Sequence, residues 1–497
     1  MRLRPIMFAG TGSDVGKSII AAGFCRIFKQ DGYKPAPFKA QNMALNSFAT
    51  PEGLEIGRAQ ATQAEAAGIE CCTDMNPLLL KPSTDLNSQV ILNGKSIGNQ
   101  SAWQYFRKEG REFLREEVCK AFDRLSKRFN PIVMEGAGSI AEINLKSIDI
   151  VNMSMAEHAN AKIILVADID KGGVIASIYG TIMLLEEKER ERIAGVIINK
   201  FRGDVRLFED GKKIIEEKCG IPVLGIVPYF NNIFIEEEDS VILEKKNSIA
   251  SSNKINIAVI LLKHLSNFTD FQALEQDERI NLFYTKDNKE IEKADIIIIP
   301  GTKNTISDLK FLRENGIAHT IIKSYKEGKT IIGICGGYQI MGNEVCDPNG
   351  IEGDDQFLPG LSLLPIKTIM NNDKCTRQVK FKFLDCKDEC TGYEIHNGNS
   401  EIIDKQFFDN HKVSNFAIIN GKELDGCFLN SRCMGTYIHG ILDNKAFIDY
   451  LLSPFKERIN NDVSFDYSKF KQEQYDKLAL LLRNNIDIEK IYKIIGL

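Results

Sequence analysis

The sequence predicts an α/β protein with two doubly wound, mostly parallel sheets and a helical C-terminal tail. Short runs rich in β-branched residues alternate with longer amphipathic stretches, which is typical of βαβ units whose sheets are covered by helices. The 497 residues, at roughly 150 per folding unit, correspond to about three units or to two large domains with an extension. Hydrophobic residues make up 43% of the chain and charged residues 26%, so a mainly disordered protein is excluded.

Nine runs are predicted to be strands, in two groups that a polar segment separates. The first group is 6–9, 132–134, 163–167, 195–198 and 223–227, and the second is 255–261, 295–299, 330–334 and 435–438. The segment between them, residues 233–253, is acidic and then serine-rich, which indicates a linker; a solvated hairpin within one domain is the alternative. The predicted domains are therefore 1–232 and 254–447, and residues 448–497 are expected to form a helical extension.

Charge, hydropathy and cysteine content narrow the possible partners and location. With 63 basic and 68 acidic side chains the net charge is -5, so no overall field attracts nucleic acid. No apolar run approaches the roughly 18 residues that span a bilayer, and the start MRLRPIMFAG lacks the apolar core of a secretion signal. The 12 cysteines are too sparse for a disulfide scaffold. We therefore expect a cytoplasmic protein with no nucleic-acid or membrane partner, and no pattern specifies its oligomeric state.

A glycine-rich loop, GTGSDVGKS at residues 10–18, joins the first predicted strand to a helical pattern. Glycines let successive backbone N–H groups point at phosphate oxygens, and the start of the helix adds partial positive charge. In such loops the lysine reaches the outer phosphates and the following hydroxyl ligates Mg²⁺. The loop is one residue longer than the common phosphate-binding pattern and resembles the dethiobiotin-synthetase-like branch of P-loop proteins. The sequence thus predicts an ATP site formed by Thr11, Gly12, Gly16, Lys17 and Ser18.

Three further residues follow predicted strands and fit the same site. Glu135 closes the strand in PIVMEGAG, where an acidic second ligand of Mg²⁺ is expected. Lys39, in PFKAQN, is placed to offer a cation to a phosphoryl group. Asn199 follows the strand in GVIIN, where P-loop proteins often contact the nucleotide base. Taken singly, Lys39 could equally be a surface lysine and Glu135 a simple strand-end acid.

The second group of strands contains a turn typical of a nucleophile. The run TIIGICGGYQ places Cys335 between small residues at the end of a buried strand. Such a strand-to-helix turn projects the side chain outward, and the start of the helix favours the thiolate. The N–H of Gly336 can stabilise an oxyanion, and Gly301, in PGTK after another strand, can supply a second donor. We therefore predict a catalytic thiol, against the alternative of a cysteine that only fills the core.

A catalytic thiol needs a base, and six histidines are available. They are His158, His264, His319, His396, His411 and His439. His439 follows the predicted strand in MGTYIHG and is expected at the same carboxyl edge as Cys335, so it is the favoured general base and acid. His396, in GYEIHNG, is the competitor.

Longer strings extend these motifs into a family resemblance. In the first half they are PFKAQNMALNS, EIGRAQATQAEAAG, DMNPLLLKPS, VMEGAGSIAEINL, DIDKGGV and NKFRGD. In the second half they are PGTKNTISDL, GICGGYQIMG, GYEIHNG and YIHG. From about residue 3 to about residue 445 the sequence resembles the cobyric acid synthases, the glutamine-dependent amidotransferases of cobalamin biosynthesis.

The resemblance implies a reaction at two sites. Glutamine is hydrolysed through a thioester on Cys335, and the ammonia passes to a site where ATP, with Mg²⁺, phosphorylates a corrinoid carboxylate. Ammonia then displaces the phosphate to leave an amide. The substrate in this family is adenosylcobyrinic acid a,c-diamide, which is amidated at its b, d, e and g carboxylates. The resemblance also makes Gln41 and Asn42 candidate contacts of the corrinoid or of the acyl phosphate.

The sequence departs from the broader class I glutaminases just after the histidine. Those proteins usually have Glu two residues beyond it, whereas Ile441 stands in that position here. The resemblance predicts that absence and leaves open which group orients His439. Glu394 and Asp443 are the candidates, and a Cys335–His439 dyad with backbone support is the alternative.

Three other functions are alternatives to the one that the resemblance implies. Cobyrinic acid a,c-diamide synthase shares the domain organisation but amidates two positions, and the strings AQNMALNS and GRAQATQAEAAG argue against it. A P-loop regulatory ATPase with a C-terminal binding module has no need of Cys335. A glutaminase that serves another amide ligase, for instance one acting on cell-wall precursors, needs Cys335 but no corrinoid.

Overall fold

The computed structural model describes residues 2–82, 87–101, 110–236, 247–251, 253–353, 355–403, 412–458 and 465–497. The chain forms two compact units, each of which combines segments that are distant in sequence. Unit 1 contains Met1–Ala44, Leu54–Glu237 and Lys469–Leu497, and unit 2 contains Leu45–Gly53 and Glu238–Ser468. The division differs from the predicted consecutive domains because residues 45–53 group with unit 2 and residues 469–497 with unit 1. Of the predicted linker, residues 237–246 and 252 lie outside the described residues, as does His411.

Strands and helices alternate over much of the chain, as βαβ units require. In chain order the strands are β1 (Ile6–Gly10), β2 (Ala36–Phe38), β3 (Gln41–Met43), β4 (Ser47–Ala49), β5 (Glu55–Gly57), β6 (Leu78–Pro82), β7 (Asn87–Leu92), β8 (Lys95–Ser101), β9 (Ile132–Glu135), β10 (Lys162–Asp168), β11 (Ile193–Phe201), β12 (Val223–Pro228), β13 (Ile255–Ile260), β14 (Ile280–Thr285), β15 (Ile296–Ile299), β16 (Thr330–Ile334), β17 (Glu344–Cys346), β18 (Phe357–Pro359), β19 (Ile366–Phe383), β20 (Cys390–Ile402), β21 (Ala417–Ile419), β22 (Glu423–Asp425), β23 (Cys427–Asn430) and β24 (Cys433–Thr436). The α-helices are α1 (Lys17–Gln30), α2 (Arg58–Ala67), α3 (Arg111–Arg128), α4 (Met153–His158), α5 (Val174–Leu184), α6 (Glu187–Arg190), α7 (Glu209–Cys219), α8 (Gln272–Gln276), α9 (Asn288–Ile291), α10 (Thr305–Glu314), α11 (Ile317–Lys326), α12 (Gly336–Ile340), α13 (Lys445–Leu452), α14 (Tyr467–Asn485) and α15 (Ile488–Ile495).

Unit 1 is built on a six-stranded sheet in the order β12-β11-β10-β1-β9-β2, in which every neighbouring pair is parallel. All five residues of β1 are buried, which explains why this strand is a continuous apolar run rather than an alternating one. β1 lies between β9 and β10, so the strand order changes direction on either side of it. Open α/β sheets bind ligands at such a switch point, outside the carboxyl ends of the strands.

Unit 2 has a comparable sheet in the order β14-β13-β15-β16-β24-β23, parallel except for the edge pair β23–β24. A second sheet contains the long antiparallel pair β19 and β20, which places Cys375 opposite His396 and Arg377 opposite Glu394. Cys335 follows the end of β16, Gly301 the end of β15 and His439 the end of β24, whereas Glu394 and His396 lie within β20.

The predicted α/β fold class is confirmed, and the nine predicted strands correspond to β1, β9 to β13, β15, β16 and β24. The sheet that contains β19 and β20 was not predicted, because β19 mixes charged and polar residues with half-exposed positions and shows no long apolar run. Within the described part of the chain, every helix falls short of the length or apolar character that bilayer crossing demands.

The C-terminal tail is not a separate extension. Helix α13 belongs to unit 2, whereas α14 lies in the hydrophobic core of unit 1, where Leu478 and Leu482 pack in one cluster with Phe24 of α1. Gly23 permits this close approach, because a Cβ atom at that position would lie 2.3 Å from Cδ1 of Leu482. The tail thus completes the core behind the helix that follows the phosphate loop.

Leu482→Ala is expected to lower the free energy of unfolding of unit 1 by about 2–5 kcal/mol, because a fully buried leucine leaves a cavity that closes only in part. Leu480, on the same helix, is 59% exposed and provides the matched control. Leu480→Ala is expected to change the free energy by less than about 0.5 kcal/mol. Urea denaturation followed by circular dichroism measures both, and equal effects of the two substitutions would contradict the packing described for α14.

Candidate active sites

The phosphate loop lies at the switch point of unit 1. β1 ends at Gly10 and helix α1 begins at Lys17, preceded by Gly16 with a φ of +96° that L side chains rarely adopt. A Cβ atom at Gly10 would lie 2.8 Å from Nζ of Lys17, so this glycine leaves room for the lysine to fold back over the loop. Nζ donates hydrogen bonds to the carbonyl oxygens of Gly12 at 2.8 Å and Gly138 at 3.1 Å.

The ammonium group of Lys17 is largely removed from water. Burial lowers its pKa to about 8, the carboxylate of Glu135 opposes this shift, and the charge of Lys39 adds to it. A desolvated cation attracts phosphate strongly because little solvent screens the interaction. The loop and this lysine therefore form a site suited to a polyphosphate.

Glu135 ends strand β9 and gathers three polar side chains around it. Its Oε1 accepts hydrogen bonds from Oγ of Ser18 and Nζ of Lys39, each at 2.8 Å, and its Oε2 accepts one from Nε2 of Gln63 at 2.8 Å. Burial acts to raise the pKa of this carboxyl, but the charge of Lys39 and the three hydrogen bonds outweigh burial and hold the pKa below its usual value. Glu135 is therefore a buried anion next to the phosphate loop.

Ser18 and Glu135 fit the predicted magnesium site by their chemistry and spacing. Mg²⁺ prefers hard oxygen ligands at about 2.0–2.1 Å, so neighbouring ligands of its octahedron lie roughly 2.9 Å apart. Oγ of Ser18 and Oε1 of Glu135 are 2.8 Å apart. The two oxygens would therefore be close enough to hold one ion together, provided that Nζ of Lys39 left Oε1 of Glu135.

The loop residues Thr11 and Asn199 make contacts that shape the site. The N–H of Thr11 donates to the carbonyl oxygen of Val166 at 3.1 Å, and the side-chain amide of Asn199 donates to that of Val15 at 2.9 Å. Asn199 is buried and braces the phosphate loop, so its contact with a nucleotide base stays a prediction. A Cβ atom at Gly12 would meet open space.

Gln41 and Asn42 lie on β3, and the structure connects Asn42 to the site through helix α2. Nδ2 of Asn42 donates to Oε1 of Gln60 at 3.2 Å, and the same helix carries Gln63, which binds Glu135. Gln41 is half-buried. Their contact with a corrinoid or acyl phosphate stays a prediction.

Cys335 occupies a strained turn between β16 and α12 in unit 2. Its φ of +52° and ψ of −111° lie where residues with a Cβ atom are rarely found. The neighbouring glycines allow the tight turn, because a Cβ atom at Gly337 would lie 1.9 Å from the carbonyl oxygen of Ile299. The thiol is buried, with Sγ 3.6 Å from the carbonyl oxygen of Ile395. This geometry agrees with the nucleophile turn that the sequence predicts.

His439 stands beside Cys335 with both ring nitrogens engaged. Nδ1 lies 2.7 Å from Oδ2 of Asp270, whose Oδ1 accepts the N–H of Gly440 at 3.0 Å. Nε2 lies 3.3 Å from Nδ2 of Asn267, and the ring interacts electrostatically with the Cys335 thiol. Cysteine, histidine and aspartate therefore form a complete triad in the arrangement of nucleophile, base and orienting acid.

The electrostatics of this triad favour a thiolate. Burial acts to lower the pKa of His439, but the charges of Asp270 and Cys335 and the hydrogen bonds to both raise it to about 10. Burial acts to raise the pKa of Cys335, but His439, His396 and the N–H of Gly336 hold it below its usual value. Both shifts favour a thiolate next to an imidazolium ring, which is the reactive form of a catalytic cysteine.

The expectation that Glu394 or Asp443 orients His439 is wrong, because Asp270 does so. Glu394 is paired with Arg377 and lies 3.9 Å from Nε2 of His396. Asp270 is 169 residues before His439, in the run SNFTDF, which has no catalytic motif. Only the fold brings it to the ring, so a short sequence pattern could not have found it.

His396, the competing base, belongs to a polar cluster beside the nucleophile. Its ring stacks on Tyr437 with the centroids 3.8 Å apart. Burial acts to lower its pKa, but the nearby Cys375 and Glu394 side chains and the charge of Cys335 raise it to about 10. With Arg377 these residues line a cavity of about 530 Å³. The cavity therefore presents positive and negative side chains close to Ile395, whose carbonyl oxygen contacts the thiol of Cys335.

The same cluster has the donor atoms of a transition-metal site. The ligand atoms of Cys375, Glu394 and His396 lie within 4.8 Å of one another, and sulfur, nitrogen and carboxylate oxygen are the ligands that zinc prefers. The guanidinium group of Arg377, which binds Glu394, opposes a cation at this position. The charge of the cluster therefore suits a zwitterion better than a metal.

The two glycines predicted to form the oxyanion site both border the triad. A Cβ atom at Gly301 would lie 3.1 Å from Cε1 of His439, and one at Gly336 would lie 2.6 Å from Cγ2 of Thr302. The N–H of Gly336 faces the sulfur of Cys335. The role of Gly301 in binding an oxyanion or glutamine stays a prediction.

Both halves of the chain match known protein families. Residues 6–241 match the family described as CobQ/CobB/MinD/ParA nucleotide binding domain, and residues 256–447 match the CobB/CobQ-like glutamine amidotransferase domain. A Bacteroides fragilis protein named cobyric acid synthase is 61% identical over 495 residues, covering 99% of this chain and 98% of that protein. Proteins of the same name from Phocaeicola vulgatus (61% identical over 494 residues, 99% of each chain) and Clostridium perfringens (47% over 498 residues, 100% of each chain) are also similar.

Asp270→Asn is expected to lower the kcat of glutamine hydrolysis by roughly 10³–10⁴-fold, because the amide stabilises neither the required tautomer nor the imidazolium ion. Asp443→Asn is the matched control, since its carboxylate is the rejected sequence candidate, and it is expected to change kcat by less than about threefold. Glutamate release measures both. A large loss with Asp443→Asn and a small one with Asp270→Asn would reverse the assignment.

Proposed function

This chain belongs to the cobyric acid synthase family, and from that premise we propose that it amidates the b, d, e and g carboxylates of adenosylcobyrinic acid a,c-diamide with ATP and with ammonia from glutamine. As a member of that family it is a glutamine amidotransferase ligase of cobalamin biosynthesis. The observation that carries the proposal is the presence, in one chain, of a phosphate loop with a buried acid and of a cysteine triad. The first activates an acid, and the second releases ammonia.

The cysteine triad accounts for the release of ammonia. The thiolate of Cys335 attacks the side-chain carbonyl carbon of glutamine, and the N–H of Gly336 is placed to bind the oxyanion that forms. The carbon–nitrogen bond then breaks as His439 gives its proton to the leaving nitrogen, which departs as ammonia. Water attacks the thioester while His439 takes its proton, the carbon–sulfur bond breaks, and glutamate leaves a restored thiolate.

The cavity beside the triad supports glutamine as the amino acid that is hydrolysed. An α-amino acid carries an ammonium and a carboxylate group, and the cavity presents Glu394 for the first and Arg377 for the second. Glu394 and His396 flank Ile395, whose carbonyl oxygen contacts Cys335. We assign the α-amino and α-carboxylate groups of glutamine to this cavity, with the side-chain amide directed at the sulfur.

The phosphate loop accounts for activation of the carboxylate. A carboxylate resists attack by ammonia because its own charge repels the nucleophile and it has no good leaving group, and an acyl phosphate removes both obstacles. Lys17 binds the outer phosphates, and Lys39 is positioned by Glu135 to neutralise charge on the phosphoryl group in transfer. Ser18 and Glu135 are suited to hold Mg²⁺, which supplies charge neutralisation to the phosphates when bound.

The corrinoid and cytoplasmic setting complete the proposal. The family places a corrinoid as the small-molecule partner, and Gln41 and Asn42 are the residues that we assign to it or to the acyl phosphate. The 12 cysteines are too sparse for a disulfide scaffold, as suits a reducing compartment. We therefore place the reaction in the cytoplasm.

Cys335→Ala and Lys17→Ala test the two activities separately. With ATP, glutamine and adenosylcobyrinic acid a,c-diamide, mass spectrometry of the wild-type product is expected to show four carboxylate-to-amide conversions. Cys335→Ala is expected to lose them with glutamine and to regain them with ammonium chloride, because only the ammonia supply is removed. Lys17→Ala is expected to lower amide formation at least roughly 10²-fold with either nitrogen source, since a transition-state charge loses its cation. Failure of the wild type to alter the corrinoid would refute the proposed function.

Arg377→Gln tests the glutamine cavity. Loss of a charged hydrogen bond to the α-carboxylate is expected to raise the KM for glutamine by roughly 10- to 100-fold with little change in kcat. Lys380→Gln, on the same strand but exposed, is the matched control and is expected to leave KM unchanged. A change confined to kcat in the Arg377 variant would place the α-carboxylate elsewhere.

A further inference from the structure

A short helical turn delivers groups to both ring nitrogens of His439. Residues Phe268–Phe271 form a 3-10 helix that begins after Asn267. Within this helix, Oδ2 of Asp270 lies 2.7 Å from Nδ1 of His439. Nδ2 of Asn267 lies 3.3 Å from Nε2 of the same ring. Asn267 has a φ of +54°, a left-handed conformation in which asparagine is tolerated better than most residues. It is 3% exposed, so solvent does not compete for its amide.

The orientation of this amide is fixed by the backbone of Ser47. Oδ1 of Asn267 accepts the N–H of Ser47 at 3.1 Å. Because an N–H requires an acceptor, the carbonyl side of the amide must face Ser47 and the NH₂ side must face His439. Asn267 can therefore only donate toward Nε2, and it favours the ring without a proton there.

The segment Leu45–Gly53 supports this arrangement from a distant part of the sequence. Oδ1 of Asn46 accepts the N–H of Phe268 at 3.2 Å, which ties the segment to the start of the helical turn. Phe48 packs edge-on against Tyr393 with the ring centroids 4.7 Å apart, and Tyr393 stacks on His439 at 5.2 Å. The segment thus contacts both Asn267 and Tyr393, and each of these residues contacts His439.

We propose that Asn267 is a positioning residue for glutamine hydrolysis: its amide favours the unprotonated Nε2 of His439 that thioester hydrolysis requires, and the segment Leu45–Gly53 sets the orientation of that amide. The inference deepens the proposed glutaminase activity and rests on it. It assigns opposite effects to two residues, Asn267, which precedes the turn, and Asp270, which lies within it. Asp270 favours the protonated ring, and Asn267 favours the neutral one.

The balance between these effects matters at the thioester stage. When the carbon–nitrogen bond has broken, the proton of His439 has left with ammonia and the thiolate charge is consumed in the thioester. His439 must then stay neutral until water attacks, because it is the base that takes the proton of water. The titratable groups facing its ring are Asp270, Cys335 and Tyr393, with His396 beyond the sulfur. Asn267 also faces the ring. It is an uncharged hydrogen-bond donor, and it opposes early reprotonation of Nε2 of His439.

Asn267→Asp and Asn267→Gly test the proposal in the full chain. Aspartate keeps the shape but replaces the donor by a negative charge, so the acidic limb of the kcat–pH profile for glutamate release is expected to move upward by about one to three pH units. Glycine suits the positive φ and only removes the amide. The acidic limb of the Asn267→Gly profile is therefore expected to move in the same direction, but by less. In both variants the glutamyl thioester on Cys335 is expected to accumulate in quenched samples measured by intact mass.

Asn420 provides the matched control, because it is another left-handed asparagine of unit 2, with a φ of +49°. Asn420→Asp and Asn420→Gly are expected to leave the pH profile unchanged. A uniform loss of kcat in the Asn267 variants, with an unmoved acidic limb and no thioester, would overturn the inference. Absence of glutamate release by the wild type would instead refute the proposed glutaminase itself.

Asn46→Ala tests the role of the segment. Loss of the acceptor for the Phe268 N–H loosens the turn, so the acidic limb is expected to move as in Asn267→Gly. Because both changes act through one amide, the double variant is expected to move the limb no further than Asn267→Gly alone. Additive shifts, or a kcat loss at all pH values without a shift, would show that the segment does not act through Asn267.

Discussion

Parallel strands end at a common edge of their sheet, and this constraint places the reactive side chains of both units. In unit 1 the ends of β1 and β9 bring the phosphate loop together with Glu135. In unit 2 the ends of β16 and β24 bring Cys335 within reach of His439. The helices that follow the loop and the nucleophile are held against buried strands, so the groups are positioned before any substrate arrives.

Each site contains a buried carboxylate whose charge is stabilised by a cation beside it. Glu135 has Lys39, and Asp270 has the imidazolium form of His439. Burying a charge is unfavourable unless it is paired and hydrogen-bonded, so neither partner can be removed without leaving an uncompensated ion. The same requirement makes the pairs useful for catalysis. Lys39 is presented as a fixed cation next to a phosphate site, and His439 is held in one orientation beside the sulfur of Cys335.

Groups whose chemistry depends on adjacent residues could be predicted from the sequence. Lys17 and Ser18 lie in one loop, and Cys335 lies in one turn, so short motifs identify them. The partners of these groups come from elsewhere in the chain. Gln63 and Asp270 sit in ordinary-looking helical runs and reach their sites only through tertiary structure. The apolar run of α14 predicts a helix, but an apolar face does not specify which core it joins, so its place in unit 1 was not predicted.

Unit 2 takes nine of its residues, Leu45–Gly53, from within the sequence of the nucleotide-binding half. Excision of the matched amidotransferase region, 256–447, would consequently yield an incomplete fragment. In that fragment the backbone N–H of Phe268 would lose its acceptor on Asn46, and Oδ1 of Asn267 would lose the N–H of Ser47. Tyr393 would lose its contact with the ring of Phe48. The amidotransferase half is therefore not encoded by one continuous stretch of sequence. Any gene rearrangement that separated the two halves would have to keep the segment Leu45–Gly53 with the amidotransferase half.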